Sequence, residues 1–177
     1  MGALRAVRSV VPAEECIGSG AIRNAVWDAL HGYSAPSRLA DVDVANFDPD
    51  DLSVPPRKRY ETRLRELGPE LTWDVKNQAA VHLWFHKVFG HEVEPLHSLR
   101  DAVATWPETA LAVGVGLRAD GTITITAPLG LEDLFSMVVR RNPRRVSVET
   151  YERRIAEKMY SKRWPRVRIV HAQGSGG

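Results

Sequence analysis

The sequence predicts an α+β fold in which helices flank a mixed β-sheet and a hairpin with further helices forms the C-terminal part. Three observations predict it. Apolar residues recur at helical spacing over 21–30, residues 41–47 alternate between acidic and apolar as a strand does, and two alternating runs within 111–127 are joined by a turn at 118–121. The chain has 177 residues, enough for one domain with a substantial core.

Composition and charge exclude several classes of protein. Hydrophobic residues make up 44% of the chain and the formal net charge is +2, which is typical of a globular protein and does not favour nucleic acid as a partner. No long apolar run opens the chain, so we expect no membrane span. The lone cysteine, Cys16, cannot form an internal disulfide, and this agrees with a cytoplasmic location.

The N-terminal elements follow from periodicity and turn residues. Residues 5–12 are predicted as the end of a helix or an irregular lead-in. A short strand then breaks at the turn Gly18-Ser19-Gly20, and a helix over 21–30 stops at Gly32. After a loop, residues 41–47 form a strand with Val42 and Val44 on one face.

The next elements alternate between helix and strand. We predict a helix over 57–67, a strand over 71–75, a helix over 76–89 that ends at Gly90, and a short helix over 98–105.

The C-terminal part begins with the hairpin. The elements predicted after it are helices over 130–139 and 148–161 and a strand or extended tail over 166–170. We expect a core over 1–110 and a second part over 111–170 that packs on it as one unit, followed by a flexible tail over 171–177.

Two acids on the predicted strand indicate a metal site. Asp41 and Asp43 are two residues apart, so both side chains point the same way. Two carboxylates on one face repel each other unless a cation lies between them, and a hard ion such as Mg²⁺ or Mn²⁺ prefers oxygen ligands. The alternative is an edge strand with a charged solvent face.

The turn before the first long helix indicates a phosphate site. Gly18 and Gly20 have no Cβ and let the backbone approach a ligand, and Ser19 offers a hydroxyl. The helix that follows directs its first N–H groups towards an anion. The turn is not a Walker A loop, since no Gly-Lys-Ser/Thr follows. The alternative is a tight strand-to-helix turn with no ligand.

Together, the Gly-Ser turn, the helix and Asp41-x-Asp43 resemble the nucleotidyltransferase superfamily of the polymerase-β type. The chain is more specifically similar to a family of small bacterial nucleotidyltransferase-like proteins. That resemblance covers most of residues 15–165, through GSGAIRNAVWDALHG, DVDVANFD, WDVKNQAAVHLW, ATWPETALAVGV and APLGLEDLFSMVVRRNPRRV. It implies a nucleotidyltransferase-type mixed sheet.

The resemblance also implies a reaction and a site. A nucleoside monophosphate would pass from an NTP, ATP in the first instance, to an unknown acceptor, with release of pyrophosphate. Asp41 and Asp43 would be catalytic and hold the metal. Asp74 would be a third catalytic acid, either completing the metal site or acting as general base.

Further residues near the turn and the acids are candidates for binding the nucleotide or its phosphates. They are Gly18, Ser19, Gly20, Arg23, Asn24, Arg38, Lys76, Asn77 and Gln78. For the polar side chains at the two predicted helix starts, the alternative is a solvated first turn or a capping amide.

Two other functions stay open. The chain could keep the fold but act as a catalytically inactive binding or regulatory module. It could also act on RNA through the basic run from Arg140 to Arg145, although such runs are more often solvated faces. We interpret Trp84 and Trp106 as packing residues.

Overall fold

A computed structural model describes residues 1–12, 14–53 and 55–171 of the chain. All of the predicted tail except His171 lies outside the described residues. None of the described helices combines the length and the apolar character that crossing a bilayer requires.

The centre of the molecule is a mixed five-stranded sheet, as predicted. Its strand order is β3-β2-β1-β4-β5; β2 and β3 are parallel, and all other neighbours are antiparallel. The strands are β1 (Glu14–Gly18), β2 (Val42–Phe47), β3 (Trp73–Asn77), β4 (Gly114–Leu117) and β5 (Ile123–Thr126).

Helices and a small second sheet surround this centre. The helices are α1 (Gly2–Val10), α2 (Gly20–His31), α3 (Pro55–Leu67), α4 (Phe85–Phe89), α5 (Leu99–Val103), α6 (Glu132–Phe135), α7 (Val148–Lys158) and α8 (Tyr160–Arg163). Two 3-10 helices cover Gln78–Leu83 and Thr109–Leu111, and β6 (Val138–Arg140) pairs in parallel with β7 (Arg168–Val170).

The predicted start of the fold is confirmed. Helix α2 ends at Gly32, which adopts the left-handed conformation at φ +68° and donates its N–H to the carbonyl oxygens of the last turn. On β2, Val42 and Val44 are buried and Asp43 lies on the opposite face. Asp41 stands just before the strand and is exposed.

The helix predicted over 76–89 is wrong. Strand β3 begins and ends two residues later than expected because it stays paired with β2 as far as Asn46 and Asn77. The Asn77 side chain then accepts the N–H of Ala79, which starts a 3-10 helix instead of an α-helix. A five-residue helix, α4, follows.

The last predicted helices are shorter than expected because two methionines leave the helical conformation. Met137 has φ +54° and separates α6 from β6, so the prediction of a helix over 130–139 is wrong beyond its first half. Met159 has φ +46° and divides the helix over 148–161 into α7 and α8. Of the alternatives for 166–170 the strand is correct, as β7. At the other end, the N-terminal segment is a helix, α1.

Aromatic packing dominates the largest core cluster. Trp27 of α2 lies edge-on to Tyr160 and Trp164, with ring centroids 5.9 and 5.2 Å away. Its indole N–H donates to the carbonyl oxygen of Leu134, so the polar end of the ring is also paired. These contacts fix α2 against the C-terminal elements.

Gly18 is required by a close approach within the protein. A Cβ at this position would lie 2.1 Å from an atom of the Trp106 ring and 3.2 Å from the carbonyl oxygen of Val113. The space that the sequence suggested for a ligand is therefore taken by an indole.

We expect Gly18→Ala to lower the free energy of unfolding by about 1–3 kcal/mol, because the Trp106 ring or the strand must move. Urea denaturation measures the change. Gly2→Ala is the matched control, since nothing lies within 4 Å of a Cβ there. Equal stability of the two variants would contradict the close packing.

Candidate functional site

One edge of the central sheet carries the predicted acids and the turn. Strand β1 ends at this edge and β2 and β3 begin at it, so Ser19, Asp43 and Asp74 meet beside one cavity of about 630 Å³. Lys76 and Gln78 also line this cavity. The sequence of turn, helix and acid-bearing strand therefore brings together residues that are far apart in the chain.

Asp43 and Asp74 are direct neighbours across the parallel pair of strands. Residues in register on adjacent strands present their side chains to the same face of the sheet. Lys76 shares that face: its ammonium donates to Asp74 and lies 3.8 Å from Asp43 Oδ1. Arg57 also donates to Asp74 Oδ1, at 2.9 Å. Asp74 is thus held by two cations, and Asp43 shares one of them.

The environment of Asp43 disfavours its charged form. Burial is the main cause that raises the pKa of this carboxyl, and the nearby charges of Asp41 and Asp74 raise it further. Lys76 and a hydrogen bond with Ser19 act in the opposite direction but do not cancel the increase. A divalent cation would relieve this repulsion.

Ser19 connects the turn with the acids. Its backbone has φ +55° and ψ -126°, a positive-φ conformation that is costly for any residue with a Cβ. Its side chain makes no capping hydrogen bond to α2; it lies near Asp43 and lowers the pKa of that carboxyl. The flanking Gly20 is less crowded than Gly18, since a Cβ there would meet Arg23 Nη2 at 3.8 Å. Of the turn residues, Ser19 lines the cavity.

Arg23 and Asn24 are buried in the core instead of lining the cavity. The guanidinium of Arg23 lies 4.8 Å from the centroid of the Tyr160 ring and donates to Asn24 Oδ1 at 2.7 Å. Arg38 is exposed, and its carbonyl oxygen accepts a hydrogen bond from Arg163. The structure does not bring these three residues to the acids.

Asn77 and Gln78, which follow the third acid, have different surroundings. Asn77 donates to the carbonyl oxygens of Asp48 and Asp51 and accepts the N–H of Asp48, so it fixes the loop after β2. Gln78 lines the cavity and donates to the carbonyl oxygen of Lys76 at 3.3 Å.

The sequence indicated only one residue, Arg145, of a basic wall of the cavity. Thr150, Arg153 and Arg154 project from one face of α7 into the cavity, and Arg145 comes from the preceding loop. The spacing of 150, 153 and 154 indicates a common helix face. What that face meets depends on tertiary packing, and no local signal reveals it.

Aromatic side chains form a further wall. Trp84, Phe85 and Phe89 line the cavity, and the guanidinium of Arg145 lies 5.5 Å from the centroid of the Phe85 ring. Trp106 lines it as well, so the interpretation of Trp84 and Trp106 as packing residues alone is incomplete. An apolar wall with a few polar groups is typical of sites for small molecules.

The residues present fit a cation that is bound together with phosphates. Among the described residues, no group of three or more histidine, cysteine or acidic side chains forms a ready metal centre. Mg²⁺, however, is usually held by one or two carboxylates and completes its shell with water and substrate oxygens. Asp43 and Asp74 offer such oxygens on one face, and Lys76 already places a cation beside them.

The fold and the acid-bearing edge define a protein of the nucleotidyltransferase type. An NMR structure described as a CCA-adding enzyme head domain is similar, with a TM-score of 0.81 and 29% identity, over 97% of this chain and 89% of that one. A tRNA-processing enzyme in its apo form I matches 95% of this chain but 42% of its own, with a TM-score of 0.53 and 16% identity. No curated protein matches the sequence.

The sequence of the chain identifies its family. A family model described as a nucleotidyltransferase matches residues 5–169, and the chain belongs to this nucleotidyltransferase family. The resemblance and the fold class predicted from the sequence are thereby confirmed.

The raised pKa of Asp43 predicts a pH-dependent stability of the metal-free protein. Folding favours the neutral carboxyl, so this contribution is fully present below the ordinary pKa of 3.8 and is lost as the pH rises through the raised value. We therefore expect Asp43→Asn to be more stable than the wild type at pH 7, with a smaller gain at pH 4. Urea midpoints in the presence of a chelator measure the difference, and a gain that grows towards low pH would contradict it.

Proposed function

We propose that the protein transfers a nucleoside monophosphate from an NTP to an acceptor and releases pyrophosphate at the acid-bearing sheet edge. The observation that carries this proposal is the pairing of Asp43 with Asp74, with Ser19 beside them, at the wall of a cavity large enough for a nucleotide. Membership of a nucleotidyltransferase family supports it.

Each acid has a role in the proposed reaction. Asp41 and Asp43 would hold a divalent cation, Mg²⁺ or Mn²⁺, which supplies neutralising charge for the triphosphate when bound. We propose that Asp74 completes this site instead of taking a proton, because both of its oxygens already accept from cations, Oδ1 from Arg57 and Oδ2 from Lys76.

The turn and residues at the end of β3 and just after it would bind the nucleotide. Ser19 and the first N–H groups of α2 would hold phosphate oxygens, since the start of a helix favours negative charge. Lys76 would neutralise the charge that develops on the leaving pyrophosphate. Gln78 would contact the nucleotide within the cavity. ATP as the donor and the cytoplasm as the location are part of the proposal. Arg23, Asn24 and Arg38 are left out of it.

Lys76 favours a second candidate function. Its ammonium lies between Asp43 and Asp74, where a metal ion would otherwise be shared. A permanent cation of this kind would suit a catalytically inactive module that binds nucleotides without metal. The two functions differ in whether binding depends on Mg²⁺ and whether pyrophosphate appears.

An RNA end is one proposed acceptor. The similar structure at 29% identity is described as a CCA-adding enzyme head domain. In this chain, Arg145 lines the cavity and its neighbour Arg144 is exposed, so the basic run reaches the site. Arg140 is occupied by an ion pair with Asp133.

A thermal-shift panel of four NTPs with and without Mg²⁺ tests the proposed function. We expect at least one NTP to stabilise the protein only with Mg²⁺, by about 2.7 kcal/mol at a hundredfold excess over its Kd. Asp43→Asn should abolish the shift, because it removes a carboxylate from the metal site. Asp50→Asn, on the exposed loop after β2, is the control and should keep it.

The same samples separate the candidates by release of pyrophosphate. Stabilisation that needs neither Mg²⁺ nor Asp43, without pyrophosphate, would support the inactive module. The absence of a shift with every NTP would contradict both functions.

A further inference from the structure

Glu108 is a carboxylate buried beside the cavity wall. It precedes the 3-10 helix Thr109–Leu111, and its side chain is 1% exposed. A charged group buried to this extent destabilises a fold unless ion pairs and hydrogen bonds compensate it. The groups that pair with the Glu108 carboxylate therefore indicate which part of the structure it holds in place.

Both oxygens of Glu108 are paired. Arg154 Nε donates to Oε1 at 2.9 Å, and the Tyr160 hydroxyl donates to Oε2 at 3.1 Å. The same tyrosine oxygen accepts a hydrogen bond from Arg23 Nη1 at 3.4 Å. A continuous network thus runs from the core of α2 to the α7 wall of the cavity. It joins parts of the chain that are more than forty residues apart.

The network contains more positive than negative charge. Its two guanidinium groups are those of Arg154, which pairs with Glu108 directly, and Arg23, which reaches Glu108 only through the Tyr160 hydroxyl; Glu108 is its single carboxylate. Burial and the adjacent Glu108 raise the pKa of Tyr160, which therefore stays neutral. Arg23 is enclosed by the rings of Trp27, Tyr160 and Trp164, which leaves Arg154 as the accessible end.

We propose that Arg154 binds the triphosphate of the NTP, and that Glu108 is a positioning residue that holds the guanidinium towards the cavity. This inference rests on the proposed function and assigns the wall of the cavity opposite Asp43 and Asp74. Tyr160 completes the support by binding the second oxygen of Glu108.

The chemistry of arginine fits a phosphate ligand. A guanidinium carries five N–H donors, and the bond to Glu108 uses the one at Nε, so donors are left for a ligand. The side chain is 29% exposed and lines the cavity. Its planar group can bind two phosphate oxygens at once, and a group already held in place loses little conformational entropy on binding.

The surroundings support an anion at this wall. Arg145 and Arg153 line the same cavity and outnumber the one acid of this wall, Glu149, while Asp43 and Asp74 stand on the sheet edge. Phosphates placed between the two walls would meet arginines on one side and the metal-binding carboxylates on the other. A triphosphate that binds a cation through some oxygens keeps others free for arginine.

Titration calorimetry with inorganic tripolyphosphate and with ATP, both in Mg²⁺, tests the role of Arg154. We expect Arg154→Gln to weaken binding of each probe at least tenfold, the loss typical of a charge-assisted hydrogen bond. Arg154→Lys should restore part of the affinity, because it keeps the charge but not the planar group. Lys158→Gln is the control on the same helix; Lys158 is exposed, and the variant should bind within twofold of the wild type.

Glu108 is tested through its coupling to Arg154. We expect Glu108→Gln to weaken tripolyphosphate binding and to have little additional effect when Arg154 is already glutamine. If Glu108 were merely structural, Glu108→Gln would lower the unfolding midpoint with and without Arg154→Gln, and its effect on binding would not depend on Arg154. If Glu108→Gln does not fold, Tyr160→Phe tests the same network, because it keeps the ring and removes the hydroxyl that donates to Glu108.

The outcomes distinguish this inference from the proposed function. Arg154-dependent binding of tripolyphosphate supports the inference even if no pyrophosphate is released. Folded Arg154→Gln that binds both probes as tightly as the wild type overturns it, whether or not transfer occurs. A wild type that binds neither probe overturns it as well. If transfer is measurable, Arg154→Gln should raise the KM for the NTP by a larger factor than it lowers kcat.

Discussion

The parallel pairing of β2 with β3 is the constraint on which the site depends. It places Asp43 directly opposite Asp74, and the antiparallel pairing of β1 brings Ser19 to the same edge. A slip of one residue between β2 and β3 would move Asp74 away from Asp43 and turn its neighbours to the other face. The buried valines of both strands oppose that slip, since their apolar side chains would become exposed.

The second constraint is the aromatic cluster that fixes α2 to the C-terminal elements. Trp27, Tyr160 and Trp164 surround the guanidinium of Arg23, and Tyr160 continues to Glu108. The packing that stabilises this part of the fold therefore also holds the polar network behind the α7 wall. Substitutions in this cluster would change stability and the arrangement of the cavity together.

The sequence predicted the fold where a local signal existed. The period of α2, the alternation of β2 and the turn at Gly121 each specify one element, and the acid pair with its glycine turn indicated the family. The predictions failed where tertiary contacts override the local pattern: β3 continues to Asn77 through pairing with β2, and Met137 interrupts a helical pattern.

The candidate site was predictable on one wall and not on the other. Ser19 belongs to a Gly-Ser turn and Asp43 to an Asp-x-Asp pair, and the resemblance implied Asp74, whereas Glu108 and Arg154 are 46 residues apart and belong to no pattern. Arg23 shows the opposite case: its place in the first turn of α2 suggested a ligand, and the structure buries it among tryptophan rings.

The central claim is that an NTP-bound cation lies at the edge formed by Asp43 and Asp74. Paramagnetic broadening of backbone amide signals by Mn²⁺ with ATP measures this most directly. We predict selective broadening around Ser19, Asp43 and Asp74 in the wild type and its loss in Asp43→Asn. Broadening centred elsewhere, or unchanged in that variant, would contradict the account.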